Sequence, residues 1–357
     1  MKQVNDRTEW SNPIARILFN RDRTLITVRS QRELASLINQ AKANKATARI
    51  LTMIDGADAA TRSMIESVRT EVNQRLRDAL SLLIQTQEIC VSEGIPFTVI
   101  KSLDAMPDIG HDIDLLVGRK LGLVRSMLLA RFQCSPVTLT FCDRQAGKFS
   151  TFIRGFESDF ELYTRVSQLG EEYYPEDTII NRRMKHSLPQ GDTYLCSPED
   201  TLLIACIHTM YRHQKIRLSD LKVAWVALNS DLDLNYVLQV VNSAGIEQGF
   251  AAFITILTRM CKSILEGEPL PSKVQSYTSR ILSSDSLLSR ILRDLQMTFP
   301  LKIPLRLAVL LFLYKSATDL VHARFDSSIR SALAPALLVL DKLIPFKLQK
   351  AASIRIW

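Results

Sequence analysis

Dithiol and zinc-knuckle motifs are missing from this chain. Its six cysteines (Cys90, Cys134, Cys142, Cys196, Cys206 and Cys261) stand singly, with no Cys-x-x-Cys pair, which argues against a knuckle or a thioredoxin-like centre. Most have apolar neighbours, as Cys206 does in LLIACIHTM, and read as buried free thiols. A reducing, cytoplasmic compartment is the expectation. Long apolar runs are also missing. The longest, Leu305 to Tyr314, stops at Lys315, well short of the roughly 20 residues a bilayer requires. No transmembrane segment is expected, and MKQVNDRTEW lacks the apolar stretch of a signal peptide. Internal repeats and low-complexity tracts are absent as well.

What is present is a chain of 357 residues, 46% of them hydrophobic, enough for at least one full core and, by length, two domains. The formal net charge is +8. That balance favours anionic partners: nucleotides, nucleic acid or an acidic membrane surface. Beyond Phe299 the basic residues Lys302, Arg306, Arg324, Lys342, Lys347, Lys350 and Arg355 alternate with apolar positions. They suit contact with RNA or an anionic surface, or simply form the solvated exterior of a helical domain.

Local patterns divide the chain into three parts: an N-terminal extension over 1–60, a mixed α/β domain over 61–190 and a helical domain over 191–357. Thr24 to Val28 reads as a short strand, and Ser30 with Glu33 forms the spacing of a capping box before a helix. From about Ser63 to Ser92, Ile65, Val68, Val72, Leu76, Ala79 and Leu83 repeat every three or four residues, and Gly94 with Pro96 ends the helix. PFTVIKS and HDIDLLV then read as strands. A helix follows from about Leu121 to Phe132, then three strand candidates, PVTLTFC, KFSTFIR and FESDFELYTRV. Ser197-Pro198-Glu199-Asp200 is a strong helix start, and nearly everything after it has helical period. The fold class expected is α+β: a small mixed sheet with flanking helices, followed by a mostly helical domain.

The sharpest chemical feature is Asp112-Ile113-Asp114 within a strand. Residues two apart project from the same strand face, so both carboxylates point one way while Ile113 and Leu115 point into the core. Two such acids repel unless a cation lies between them. Magnesium, or manganese in its place, accepts carboxylate oxygens and leaves room for waters and phosphates. In FESDFELYTRV a second acidic face carries Asp159 and Glu161; if the two strands pair, either acid can complete a three-carboxylate cage for two ions. The plain alternative is two sheet faces carrying charge on their water side. Lys101 is placed to hold a phosphate. His208, set among Ile204, Cys206 and Ile207, reads as a core histidine, and His213, five residues on, shares no α-helical face with it. His111 points away from the acids, and Arg217 with Asp220 reads as a surface pair.

The order of these motifs resembles the polymerase β-type nucleotidyltransferase superfamily, and more narrowly a bacterial and archaeal branch of it. The resemblance covers roughly residues 65 to 230 and rests on Lys101-Ser102, Asp112-Ile-Asp114-Leu-Leu-Val117 and Ser197-Pro-Glu-Asp200 leading to His208 and His213. It implies transfer of a nucleoside monophosphate from an NTP, ATP among the candidates, to an acceptor hydroxyl. In that reading Asp112 and Asp114 are the paired ligands of two Mg2+ ions, and Glu161, with Asp159 as the fallback, is the third carboxylate. Lys101 and Ser102 form the phosphate-side turn. The superfamily usually carries glycine in that turn, and this chain has none. A catalytically inactive nucleotide- or RNA-binding module of the same fold is the alternative. The acceptor, whether small molecule, protein or RNA, is left open.

Overall fold

The computed structural model describes residues 11–19, 25–109, 112–137, 139, 141–157, 159–168, 171–264, 270–283 and 285–343. The chain begins with α1 (Ser11–Leu18), β1 (Ile26–Val28), α2 (Gln31–Ala43), α3 (Thr47–Thr52), β2 (Ile54–Gly56) and a long α4 (Ala59–Ser92). Next come β3 (Thr98–Val99), β4 (Asp112–Leu116), α5 (Leu121–Arg131), β5 (Cys134–Pro136), α6 (Phe141–Gln145), β6 (Lys148–Ile153) and β7 (Asp159–Tyr163). A small hairpin, β8 (Val166–Gln168) and β9 (Glu171–Tyr174), leads through α7 (Glu176–Asn181) to β10 (Met184–Leu188) and β11 (Gly191–Leu195). The rest is helical apart from two short strands. It runs α8 (Pro198–Ile207), β12 (Lys215–Ile216), α9 (Leu218–Leu228), α10 (Leu234–Ala244) and α11 (Glu247–Ile264). Then follow α12 (Ser272–Ile281), α13 (Leu287–Arg293), β13 (Leu301–Lys302), α14 (Leu305–Val321) and α15 (Phe325–Leu343).

Seven strands form one mixed sheet in the order β10-β11-β3-β4-β7-β6-β5. β4 sits at its centre, antiparallel to β3 and parallel to β7. On one face Ile113, Leu115, Phe160 and Leu162 pack with Leu80, Leu83 and Ile89 of α4 and with Val124 and Leu128 of α5. On the other, Leu116 and Tyr163 join a second core with Leu202, Ile207, Phe250 and Phe312 of the helical region. Both faces are therefore covered, and the acids of β4 and β7 lie between the sheet and the helices. Residues of α1 to β2, such as Ile14, Leu34 and Ile50, pack in that second core as well. Burying one such side chain contributes about 1.5–3 kcal/mol.

Helix starts follow the sequence closely. Ser30 accepts the Glu33 amide, and Glu33 reaches back to the Arg29 amide, one residue before the cap itself. Ser197 accepts the Asp200 amide ahead of Pro198. α4 begins earlier than its apolar period suggests, because Asp58 caps it by accepting from the Thr61 amide. PVTLTFC departs from expectation. Among the described residues Cys134 to Pro136 pair on the sheet edge beside β6, the Val137 amide donates to the Ser150 carbonyl, and Phe141 to Gln145 turn helical. Strand propensity is weak without a neighbour on both sides, and the helical turn carries Asp143 toward the helical region. Among the described residues Cys90, Cys196, Cys206 and Cys261 are buried and Cys134 is half-buried, all as free thiols. None of the described helices is long and apolar enough to cross a membrane.

Candidate functional site

The parallel β4–β7 register puts Asp114 opposite Glu161 and Asp112 opposite Asp159. One oxygen each from Asp112, Asp114 and Glu161 lies within 4.8 Å of the other two. The Asp159 side chain lies outside the described residues, so Glu161 is the described acid that completes the group. Asp114 and Glu161 are 2% and 6% exposed, too enclosed to be the solvated sheet face of the plain alternative. Asp112 is half-buried. The three acids line a cleft of about 250 Å3 whose opposite wall comes from residues 205–223.

Each acid is held by specific partners. Ser102 Oγ accepts the Asp114 amide at 2.7 Å and donates to Asp114 Oδ2 at 3.1 Å. Tyr163 OH donates to Glu161 Oε2 at 2.7 Å, and Lys148 Nζ lies 2.5 Å from Glu161 Oε1. The Lys101 ammonium is 2.8 Å from Asp114 Oδ1, 3.3 Å from Tyr163 OH and 3.1 Å from His208 Nε2. Those three acceptors match its three N–H donors. Lys101 itself has φ of 63°, in the left-handed region that costs a non-glycine residue about 1–3 kcal/mol. The turn thus adopts a glycine-type backbone without glycine, and the strained residue is the one whose side chain enters the cleft.

The electrostatics follow from this crowding. Burial, then the negative charges of Asp114 and Asp112, pushes Glu161 up to about 7 despite Lys148. Burial also acts on Asp114, but the adjacent Lys101 ammonium outweighs it and holds that carboxyl well below the usual carboxylate range. Asp104, further along the cleft, is pushed up to about 6 by burial and by Asp114. His208 is held well below its ordinary value, chiefly by burial and then by Lys101. Its ring is therefore neutral, and Nε2 accepts from the lysine.

The histidines differ from the sequence expectation. After α8 the chain makes a π-helical turn, His208–Arg212, closed by the His213 amide donating to the His208 carbonyl at 2.8 Å. Hydrogen bonding five residues apart aligns i with i+5, so the two rings meet with centroids 4.4 Å apart. Both line the cleft, and the half-buried His208 is satisfied there by Lys101. Gly249 makes this turn possible: a Cβ there would lie 2.3–2.6 Å from Tyr211 ring and hydroxyl atoms. Arg217 and Asp220 also line the cleft, the Asp220 carboxylate accepting the Arg217 amide at 2.7 Å.

Sequence reasoning gave no role to Arg212, Lys148, Lys45 or Lys215, all of which line the cleft. Lys148 stands opposite Tyr163 in the β6–β7 ladder, a signal readable only once that hairpin register is known. Arg212 pairs with Asp143 at 3.1 Å and lies 5.3 Å from the Tyr163 ring centroid. No local pattern marks it. Of the basic C-terminal residues, Arg324 is spent on Asp319, while His111, Lys347, Lys350 and Arg355 and the Lys342 side chain lie outside the described residues. Comparison with known protein families, curated proteins and solved structures returns no match.

Proposed function

We propose that this protein is a metal-dependent nucleotidyltransferase that moves a nucleoside monophosphate from an NTP to an acceptor hydroxyl. The observation that carries the reading is the convergence of three carboxylate oxygens within 4.8 Å, deep in a cleft with basic groups on its far wall. The donor set is all hard oxygen, which suits Mg2+ or Mn2+. Asp112, Asp114 and Glu161 would hold the ions. Bound there, two ions supply polarisation of the α-phosphate and charge neutralisation for the departing pyrophosphate. Ser102 and Tyr163 fix the orientation of Asp114 and Glu161. Arg212, Lys215 and Arg217 offer charge-assisted hydrogen bonds to the triphosphate. Glu161, facing the cleft opposite Asp114, is placed to take the proton of the attacking hydroxyl. Lys101 and Lys148 lie against two of the ligands and must yield part of those contacts on loading.

Those same lysines favour one other reading. Two ammoniums already satisfy Asp114 and Glu161, which is what an inactive nucleotide-binding module would retain. Incubation with each α-labelled NTP, Mg2+ and a cell extract separates the two. Label in a product with wild type but not with Asp114→Asn supports transfer. Nucleotide binding unchanged by Glu161→Gln, with no label in any product, supports the inactive module.

A further inference from the structure

Beyond the cleft, cations line a continuous path that a mononucleotide does not need. Lys215 lines the cleft, a hollow of about 170 Å3 beside it and an open groove of about 1080 Å3 beyond. Lys45 and Arg217 line the first two, Lys42 the second, and Arg32 and Lys302 the outer groove.

The ladder that builds this path is unfavourable by itself. β12 and β13 pair antiparallel with Lys215 directly opposite Lys302, and like charges facing across a ladder destabilise it. Burial, then the charges of Arg217 and Lys302, holds the Lys215 ammonium below its ordinary value. Lys45, like Lys101, has a left-handed backbone, with φ of 50°. No carboxylate among the described residues lies within ion-pair distance of Lys45, Lys215 or Lys302. At longer range Asp220 acts on Lys45 and Lys215, and Asp104 and Asp114 act on Lys45. The uncompensated charge is therefore greatest at Arg32 and Lys302 in the outer groove. Acids nearby also accept backbone amides. Glu33 accepts the Arg29 amide at 2.6 Å, Asp108 the Ala48 amide at 2.6 Å, and Asp220 the Arg217 amide. Glu71 remains as an exposed acid on the rim.

Asn44, fully buried, fixes the geometry of the path. It accepts the Leu218 amide at 3.1 Å and donates to the Phe299 carbonyl at 3.3 Å, and its own carbonyl accepts the Ser219 amide. One side chain thus ties the end of α2, the start of α9 and the approach to β13, the three segments that carry Lys45, Arg217 and Lys302.

We infer that this path is a binding track for the phosphodiester backbone of a single-stranded polynucleotide, whose terminal hydroxyl is the acceptor. The acceptor role rests on the transferase reading of the site; the track does not. Spaced cations along a groove suit successive phosphates, whereas a flat membrane surface cannot follow cations that lead from an open groove into an enclosed cleft. A duplex is too wide for a cleft of about 250 Å3. In the reaction, the terminal hydroxyl oxygen bonds to the α-phosphorus and the bond from that phosphorus to the bridging β-phosphate oxygen breaks. Pyrophosphate leaves, and the hydroxyl proton passes to the Glu161 carboxylate.

The test is fluorescence anisotropy with a labelled mixed-sequence single-stranded RNA of about 20 nucleotides, in EDTA so that no transfer occurs, with probe length set by typical site sizes. Wild type is expected to bind with a log-log salt slope of about −0.7 per phosphate contact. The exposed double variant Arg32→Glu/Lys302→Glu should bind at least about tenfold more weakly with a shallower slope. Its melting temperature should not fall, since the new carboxylate at position 302 would face Lys215, and its NTP affinity should stay near wild type. A wild type that fails to bind at low salt, or a double variant with unchanged affinity and slope, overturns the track. So does displacement of the RNA by anionic phospholipid vesicles that bind more tightly. RNA binding without transfer from any NTP leaves the track standing and sinks the transferase reading. Transfer only to a small molecule sinks the acceptor assignment.

Discussion

Lys101 lies 2.8 Å from Asp114 and spends its remaining two donors on Tyr163 and His208. The ammonium therefore serves as the cation of the acidic group, and a left-handed backbone is tolerated to put it there.

Removing that charge without removing the methylenes isolates its role. Lys101→Met leaves a buried carboxylate without its partner, a change that costs about 3–5 kcal/mol in comparable buried pairs. The metal-free variant should melt well below wild type, and Mn2+ should raise its melting temperature more than it raises that of wild type. Equal Mn2+-induced shifts in the two proteins would show that the lysine and the metal do not share a site.

Ser102 acts on Asp114 from both sides, accepting from its amide and donating to its carboxylate. Groups that orient a metal ligand typically set affinity by about 10–100-fold. Ser102→Ala should weaken Mn2+ binding by that order in isothermal titration calorimetry, with little change in circular dichroism. Unchanged affinity would remove Ser102 from the site.

Glu161 predicts a pH dependence with a definite sign. Its carboxyl titrates near 4.5 when unfolded and is pushed up to about 7 in the fold. Between those values the folded state holds the extra proton, so the Glu161 contribution to stability is present at pH 4.5 and lost as pH rises through 7. Mn2+ affinity, if Glu161 is a ligand, should strengthen over the same range, because the carboxylate must lose its proton. Melting curves of metal-free wild type and Glu161→Gln, compared from pH 5 to 8, should show this step only in wild type. Parallel curves would assign the proton elsewhere.

Asn44 offers a stability test remote from the acids. Asn44→Ala strands the buried Leu218 amide, at about 1–3 kcal/mol, and removes the Asn44 bond to the Phe299 carbonyl. Urea denaturation should report a loss of that size, and RNA affinity should fall with it, because the segments bearing Lys45, Arg217 and Lys302 lose their common anchor. A stable variant in which they stay aligned would contradict this account of the track.

Much of the fold was legible because its signals are local. Ser30, Ser197 and the apolar period of α4 mark helices through contacts three or four residues apart. The PVTLTFC segment is less legible: its residues favour strand, but it starts on the sheet edge with one neighbour, and Phe141 to Gln145 turn helical. The meeting of His208 with His213 is not legible for a related reason. A π-turn leaves no mark in residue spacing, and this one needs the open space over Gly249 for Tyr211.

At the site, the sequence alone determined that Asp112 and Asp114 share one face of β4, because strand alternation is a property of consecutive residues. It also narrowed the third acid to Asp159 or Glu161. The tertiary structure decided that Glu161 faces Asp114 in register, that Lys101 and Lys148 stand against the acids, and that Arg212, Lys215 and Arg217 close the cleft. These contacts join residues far apart in the chain. They depend on the pairing of β4 with β7 and on the packing of helices over the sheet, and no local period encodes either.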